Sequence, residues 1–370
     1  MRLVPALVGA LLLLGACADD ADPGLGTPEA APQPATRTAT PNASPSTDRA
    51  PRVVRTIASG LEVPWGVTFL PDGTALVGER DTTRVLAIGR SGDVREVGRI
   101  DQADPQGEAG VLGLAASPTY AEDGLVYAYV STASDNRVIR MTYDGRQLGE
   151  PEDVLTGIPN GFIHDGGRLL FAEDGTLFVS TGETGEPPLA QESDSLAGKI
   201  LHITADGDPA PDNPVDGSPV WSMGHRNVQG LAFDDRGRLW ATEFGQNLWD
   251  ELNLIQRSAN YGWPLVEGQG DLEEYRNPHV SWATVDASPS GLAFADGSLW
   301  AGALRGERLW EVPVTAEGTA APTDWFVGDY GRIRTVTLAP NGNLWVTTSN
   351  RDGRGEPAAE DDRILEVDIG

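Results

Sequence analysis

The chain has 370 residues, with 55 Asp and Glu against 27 Lys and Arg, which gives a net charge of −28 at pH 7. Such an acidic protein would repel nucleic-acid phosphates, which argues against DNA or RNA as a partner. The charge is compatible with solubility and divalent cations, but it specifies no substrate.

The first residues are typical of an export signal. Arg2 precedes an apolar stretch over residues 3–14 that is too short to span a bilayer, and small residues then lead to Cys17. Cys17 is the only cysteine in the chain, and its surroundings resemble a bacterial lipobox. We expect residues 1–17 to be a lipoprotein signal peptide and Cys17 to be lipidated, which would anchor the exported protein to the outer face of the cell membrane. The alternative is an ordinary signal peptide with an incidental cysteine.

Residues 18–52 are rich in Ala, Pro, Thr, Ser and Asp and contain almost no large apolar side chains. Such a segment cannot bury enough apolar surface to offset the entropy lost on ordering. We expect a disordered tether that joins the anchor to a folded domain over residues 53–370.

A sequence pattern that predicts an apolar strand, a tight turn and a second apolar strand recurs six times through that domain. Asp-Gly and Asn-Gly turns supply the positive φ that short hairpins require. The repeats come every 45 to 62 residues, a spacing that leaves room for a four-stranded unit and loop insertions. The fold predicted is an all-β, six-bladed β-propeller, with a pair of β-sandwiches as the competing fold. The six turn glycines are Gly73, Gly124, Gly175, Gly237, Gly297 and Gly342.

Four segments stand in the same place in their repeats, just upstream of the apolar strand that leads to the turn. They are residues 107–114, the segment around His164, residues 221–230 and residues 332–334. Equivalent positions in different blades lie at equivalent heights around the axis, so we expect these segments to face one pocket.

His164 is the candidate general base in that pocket, because histidine titrates near neutral pH and this one stands beside two glycines. The alternative is a loop histidine satisfied by hydrogen bonds. The arginines of the other segments favour a polyanionic ligand; the alternative is that each is a structural ion-pair partner. Farther along, glycine-turn carbonyls followed by acidic residues over 243–254 offer the oxygen ligands that Ca²⁺ takes, although acidic loops are usually just solvated.

Taken together, the segments resemble the soluble PQQ-dependent sugar dehydrogenases, the glucose and aldose sugar dehydrogenase family of six-bladed propellers. The resemblance covers residues 54–368 and is most specific at residues 164–169, 224–231 and 260–264. It implies PQQ and Ca²⁺ as cofactors, an aldose as substrate and a lactone as product, with His164 as the base.

The resemblance also implies a set of binding residues. Those expected to contact PQQ are Glu108, Arg226, Asn227, Arg305, Arg332 and Arg334. The carbonyls of Gly245 and Gln246 are expected to bind the cofactor-associated Ca²⁺, and Glu251 and Tyr261 to bind a structural one. Trp282 is expected to line the substrate pocket, although tryptophan is more often a core side chain.

Two departures from the family pattern bear on this interpretation. Glu108 stands where a glutamine is usual, which puts a carboxylate beside an anionic cofactor unless calcium or arginine offsets it. Arg305 stands where a lysine is usual, so the charge survives in a different shape. The alternatives are a lipid-anchored carbohydrate-binding or interaction propeller without catalysis and a calcium-dependent lactonase. The arginines in the channel argue against the lactonase.

Overall fold

The computed structural model describes residues 50–370, and almost all of the regular secondary structure in this part of the chain is β-strand. One short helix, α1, covers Tyr120–Asp123, and a 3₁₀ turn covers Pro187–Gln191. The predicted lipidation site Cys17 and most of the predicted tether lie outside the described residues. No helix within the described range is long and apolar enough to cross a membrane. The strands in chain order are β1 (Arg52–Ala58), β2 (Pro64–Phe69), β3 (Ala75–Glu79), β4 (Arg84–Ile88), β5 (Val94–Arg99), β6 (Val111–Ala116), β7 (Leu125–Ser131), β8 (Asn136–Thr142), β9 (Glu152–Ile158), β10 (Gly166–Phe171), β11 (Leu177–Thr181), β12 (Lys199–Ile203), β13 (Val220–Met223), β14 (Val228–Phe233), β15 (Leu239–Glu243), β16 (Trp249–Ile255), β17 (Val280–Ala283), β18 (Pro289–Ala295), β19 (Ser298–Ala303), β20 (Arg308–Pro313), β21 (Thr323–Trp325), β22 (Ile333–Leu338), β23 (Leu344–Thr348) and β24 (Ile364–Asp368).

These strands form six antiparallel sheets of four strands each. Five sheets take four consecutive strands: β2–β5, β6–β9, β10–β13, β14–β17 and β18–β21, which we name blades 1 to 5. Blade 6 is β22, β23 and β24 with β1 added at its outer edge, so the two ends of the domain close the ring. The prediction of a six-bladed β-propeller is confirmed.

Each predicted glycine turn joins the first and second strands of a blade. All six glycines have φ between +65° and +87°, the region that glycine adopts without steric cost. In blade 2 the turn is extended, because α1 precedes Gly124.

The first strand of every blade lies innermost and packs against the first strands of its neighbours. The six inner strands surround a central channel, and apolar side chains fill the space between blades. Because strands within a blade are antiparallel, the residues before the first strand and after the second strand lie at the same end. We name this end the channel mouth.

Lys199 fixes one loop at that end. It is the only lysine in the chain, and its ammonium is fully buried. The ammonium donates to the carbonyls of Leu189, Ala190 and Ala197 at 2.8, 3.1 and 2.7 Å. The loop between β11 and β12, which includes Glu183, is therefore folded over Lys199.

Candidate active site at the channel mouth

The structure brings the four predicted segments together. Glu108 precedes β6, His164 precedes β10, Arg226 precedes β14, and Arg332 precedes β22. A cavity at the mouth is lined by residues of all these segments or of the strands they lead into, together with Trp65 of blade 1 and Arg354 of blade 6. The repeat spacing therefore placed these positions correctly at one end of the channel.

His164 is held at its backbone and at its side chain. Its φ is +60°, in the left-handed region that costs a non-glycine residue about 1 kcal/mol. Its N–H donates to Glu108 Oε2 at 3.0 Å, and its carbonyl accepts from the Thr184 N–H at 3.1 Å. A Cβ at Gly182 would overlap the His164 carbonyl oxygen, so only glycine fits beneath the loop.

Glu183 fixes the orientation of the imidazole. Its Oε1 is hydrogen-bonded to His164 Nδ1, and its carboxylate is 1% exposed. A buried carboxylate at Nδ1 favours the tautomer in which Nδ1 carries the proton, which leaves the Nε2 lone pair free to accept one. The His164 side chain retains 12% exposure, and the next two residues, Asp165 and Gly166, line the cavity at the mouth.

Glu108 connects two blades across the mouth. While Oε2 accepts from His164, Oε1 accepts from Arg354 Nη1 at 2.8 Å. Burial would raise the pKa of Glu108, but the hydrogen bonds from His164 and Arg354 outweigh it and hold that pKa below its usual value. The negative charge of Glu108 is therefore offset by an arginine, one of the two possibilities that the sequence left open.

Asp165 is a second acidic group beside His164. Its Oδ1 accepts from Asn136 and from the Gly161 N–H, while its buried Oδ2 has no partner within residues 50–370. Burial raises its pKa to about 7, and the charge of Glu108 adds to the rise. Asp165 therefore changes charge near neutral pH.

Arg332 and Arg334 stand on the opposite side of the mouth, and both are buried. Asp352 Oδ2 accepts from Arg332 Nη2 at 2.9 Å and from Arg334 Nη2 at 3.4 Å, so one carboxylate serves two guanidinium groups. Burial lowers the pKa of Arg334 to about 10, and Asp352 opposes this. Arg168 belongs to β10 of blade 3, but its side chain extends to this side, where Nη2 donates to Thr335 Oγ1 at 3.4 Å. Its guanidinium lies 4.2 Å from the centre of the Trp65 ring, and burial together with the charge of Arg334 lowers its pKa to about 9. Positive charge exceeds negative charge on this side.

Arg226 and Asn227 carry donors without partners. Arg226 Nη1 donates to the Phe244 carbonyl at 3.2 Å, but its buried Nε has no partner among the described residues. The oxygen of Asn227 accepts from the Gly166 N–H and from Gln229, while its buried Nδ2 is likewise unpaired within residues 50–370. Buried donors without partners are rare in folded proteins, and here two occur side by side in the chain.

The predicted calcium ligands lie in blade 4. No hydrogen bond among residues 50–370 ends on the carbonyls of Gly245 or Gln246. Glu251 lies opposite Glu243 on the neighbouring strand, and burial followed by the Glu243 charge raises its pKa to about 8. The Tyr261 hydroxyl donates to the Leu254 carbonyl at 2.6 Å. Within the described residues, no three His, Cys, Asp or Glu side chains gather as a metal-binding group.

Two further predicted site residues do not take part in the hydrogen bonds around His164 and Asp352, although Arg305 follows the second strand of blade 5 and so lies at the mouth. Arg305 is exposed after β19, with one long hydrogen bond of 3.4 Å to Thr284. Trp282 is 5% exposed in an apolar cluster, 5.6 Å from the Trp310 ring. Trp282 is therefore a core side chain, the alternative that the sequence left open.

The residues that sequence reasoning missed share one location. Glu183 and Glu243 follow or end the second strands of blades 3 and 4, and Asp352 and Arg354 follow that of blade 6. The pocket prediction rested on positions upstream of the first strands, and Glu243 was included only in the predicted calcium segment 243–254. Antiparallel pairing puts the end of a second strand beside the start of the first strand. The repeat pattern therefore also predicts that residues after the second strands lie at the channel mouth.

Comparison with known proteins identifies the family of this chain. A sequence profile described as Glucose / Sorbosone dehydrogenase matches residues 61–356. The PQQ-bound aldose sugar dehydrogenase from Streptomyces coelicolor has a TM-score of 0.85 and 51% identity, covering 86% of this chain and 98% of that one. The aldose sugar dehydrogenase from Escherichia coli, in its apo form, has a TM-score of 0.78 and 25% identity, covering 87% and 100%.

Quinoprotein glucose dehydrogenase B from Acinetobacter calcoaceticus is 30% identical over 284 residues. The aligned region is 66% of this chain and 59% of that protein. The profile match spans most of the chain, and the resemblance inferred from the motifs is confirmed: the protein belongs to the glucose/sorbosone dehydrogenase family, whose members include PQQ-dependent sugar dehydrogenases.

Proposed function

We propose that this protein oxidises aldose sugars to lactones with PQQ as cofactor and His164 as general base. The observation that carries the proposal is the fixed imidazole: Nδ1 is engaged by buried Glu183, so Nε2 is free at a channel mouth whose far side is rich in arginine. The PQQ-bound relative from Streptomyces coelicolor supports the choice of cofactor.

The residues present fit an anionic quinone. Arg332 and Arg334 would hold its carboxylates, because two buried guanidinium groups share one carboxylate partner. The unpaired donors on Arg226 and Asn227 would meet its oxygen atoms. Arg305, exposed after β19, remains a proposed peripheral contact.

Bound PQQ would supply an acceptor for the hydride on the sugar carbon. His164 Nε2 takes the proton of the hydroxyl on that carbon, and Glu183 stabilises the resulting imidazolium. Glu108 and the Thr184 N–H keep the His164 backbone in place during this transfer.

Calcium is part of the proposal. The free carbonyls of Gly245 and Gln246 would bind a Ca²⁺ beside the cofactor, where it would act as a Lewis acid. Glu251 and Tyr261 would contribute to a second, structural site, because a cation would relieve the repulsion between Glu251 and Glu243. Thermal unfolding of the apo protein with Ca²⁺ or EDTA tests this. We expect a higher Tm with Ca²⁺, and an equal Tm would contradict the structural site.

The cellular location is also a proposal. The signal-like start and Cys17 support export and lipid anchoring. Cys17→Ser should release the protein from the membrane fraction and abolish incorporation of labelled fatty acid. Membrane retention of that variant would contradict the anchor.

The test of the reaction is dye-linked turnover by the full chain, reconstituted with PQQ and Ca²⁺, against a panel of aldoses. We expect dye reduction by the wild type and none by His164→Gln. His279→Gln is the matched control, because His279 is exposed in blade 4 away from the mouth, and it should retain activity. Failure of the wild type to bind PQQ would favour the non-catalytic propeller. The pairing of Glu108 with Arg354 weakens one of the two arguments for that alternative.

A further inference from the structure

One ion pair joins the two sides of the channel mouth. Arg354, in the loop after β23 of blade 6, donates to Glu108, in the loop before β6 of blade 2, at 2.8 Å. Arg354 is 58% exposed, whereas the Glu108 side chain is 19% exposed. The sequence separation of 246 residues shows that only closure of the propeller brings them together.

Both partners are tied to groups of the proposed site. Glu108 also accepts the His164 N–H, and the Arg354 N–H donates to Asp352 Oδ1 at 3.0 Å. Asp352 in turn holds Arg332 and Arg334. The pair therefore links the loop of the base to the loop that holds the two arginines.

A carboxylate at position 108 has a benefit and a cost. It accepts hydrogen bonds from both His164 and Arg354, which a glutamine cannot do as well, because its NH₂ end would face the arginine as donor against donor. In a partly buried pocket, however, its charge would repel an anionic ligand. Arg226 and Arg334 also lie within range of its charge, but neither is hydrogen-bonded to it.

We propose that Arg354 compensates the charge of Glu108 and thereby sets the affinity for the anionic cofactor, so that an acidic residue can hold the His164 loop without repelling PQQ. This inference rests on the proposed function. It assigns Arg354 a positioning and compensating role, and not direct contact with the reacting atoms.

The test is a double-mutant cycle on PQQ binding to the apo full chain, followed by quenching of tryptophan fluorescence. Arg354→Gln should weaken binding by about tenfold, because it leaves the Glu108 carboxylate without its partner. Glu108→Gln should bind at least as tightly as the wild type. The double variant Glu108→Gln/Arg354→Gln should return to within about threefold of the wild type.

Two further variants separate compensation from loss of the loop. Arg354→Lys keeps the charge and should recover most of the affinity. Arg351→Gln removes a positive charge from the same loop, where the side chain donates to the Asp361 carbonyl and not to Glu108, and should leave PQQ binding within about twofold. Melting of each apo variant reports folding independently.

An Arg354→Gln affinity equal to that of the wild type would overturn the inference. So would a double variant as weak as Arg354→Gln, or an Arg351→Gln as weak as Arg354→Gln. A wild type that binds no PQQ would overturn the proposed function together with this inference, and it is recognised before any variant is measured.

Discussion

The two sides of the channel mouth differ in how their charged side chains are paired. The side formed by blades 2 and 3 carries Glu108, Asp165 and Glu183 around His164, and we name it the acidic side. The side formed by blade 6 carries Arg332 and Arg334 with Asp352 between them, and we name it the basic side. On the acidic side, Glu108 and Glu183 each have a fixed partner, whereas on the basic side two guanidinium groups share one carboxylate.

The difference indicates that the two sides have separate roles, one suited to proton transfer and the other to anion binding. Partnered carboxylates around an imidazole orient it and stabilise its charged form, which suits proton transfer. Buried guanidinium groups in excess over carboxylates suit the capture of an anion. Breaking one side should therefore affect turnover, and breaking the other should affect cofactor affinity.

The largest effect is expected from Glu183→Gln on the acidic side. The amide no longer stabilises the imidazolium, so kcat with PQQ bound should fall by about 10²- to 10³-fold while the Kd for PQQ changes little. Steady-state kinetics and fluorescence titration separate the two quantities. Glu186→Gln, in the same loop but exposed, is the control. A kcat for Glu183→Gln equal to that of the control would remove the acidic side from catalysis.

The matching change on the basic side is Arg334→Met. It removes a buried guanidinium, so the Kd for PQQ should rise by about 10²-fold, while kcat at saturating PQQ falls much less. Arg90→Met, exposed in the turn between β4 and β5, controls for the loss of one positive charge. An unchanged Kd would show that the basic side does not bind the cofactor.

A smaller effect is expected from Asp165→Asn. The pKa of Asp165 is raised from 3.8 to about 7 in the folded protein. Between these two pH values the folded protein therefore binds more protons than the unfolded chain does. Its stability contribution is therefore present below pH 4 and is lost as the pH rises toward 7. We subtract the wild-type free energy of unfolding from that of Asp165→Asn at each pH. This difference should be about 1–3 kcal/mol more favourable to the variant at pH 8 than at pH 4. Urea unfolding across this range measures it, and parallel pH profiles for the two proteins would contradict the assignment.

The smallest effect is expected from Arg305→Gln. Its exposure and single long hydrogen bond predict a change in PQQ Kd of less than about threefold. A tenfold loss would mean that the basic side extends into blade 5 once the cofactor is bound.

The fold was predictable because the turn glycines mark each blade and the pattern repeats. The convergence of Glu108, His164 and Arg226 followed from the same repeat phase. The partners of these residues were not predicted, because Glu183 and Arg354 are recognised only when the end of a second strand is mapped onto the channel mouth. The pattern did not decide between burial and exposure: Arg305 is exposed, and Trp282 is packed in the core, the alternative that the sequence left open.

We propose that His164, oriented by Glu183, takes the proton from the sugar at a cofactor held by the basic side. Single-turnover reduction of PQQ bound to the full chain, mixed rapidly with an aldose, tests it most directly. The wild type should bind PQQ stoichiometrically and reduce it, whereas His164→Gln should bind it equally and leave it oxidised. Reduction by His164→Gln at the wild-type rate would contradict the account.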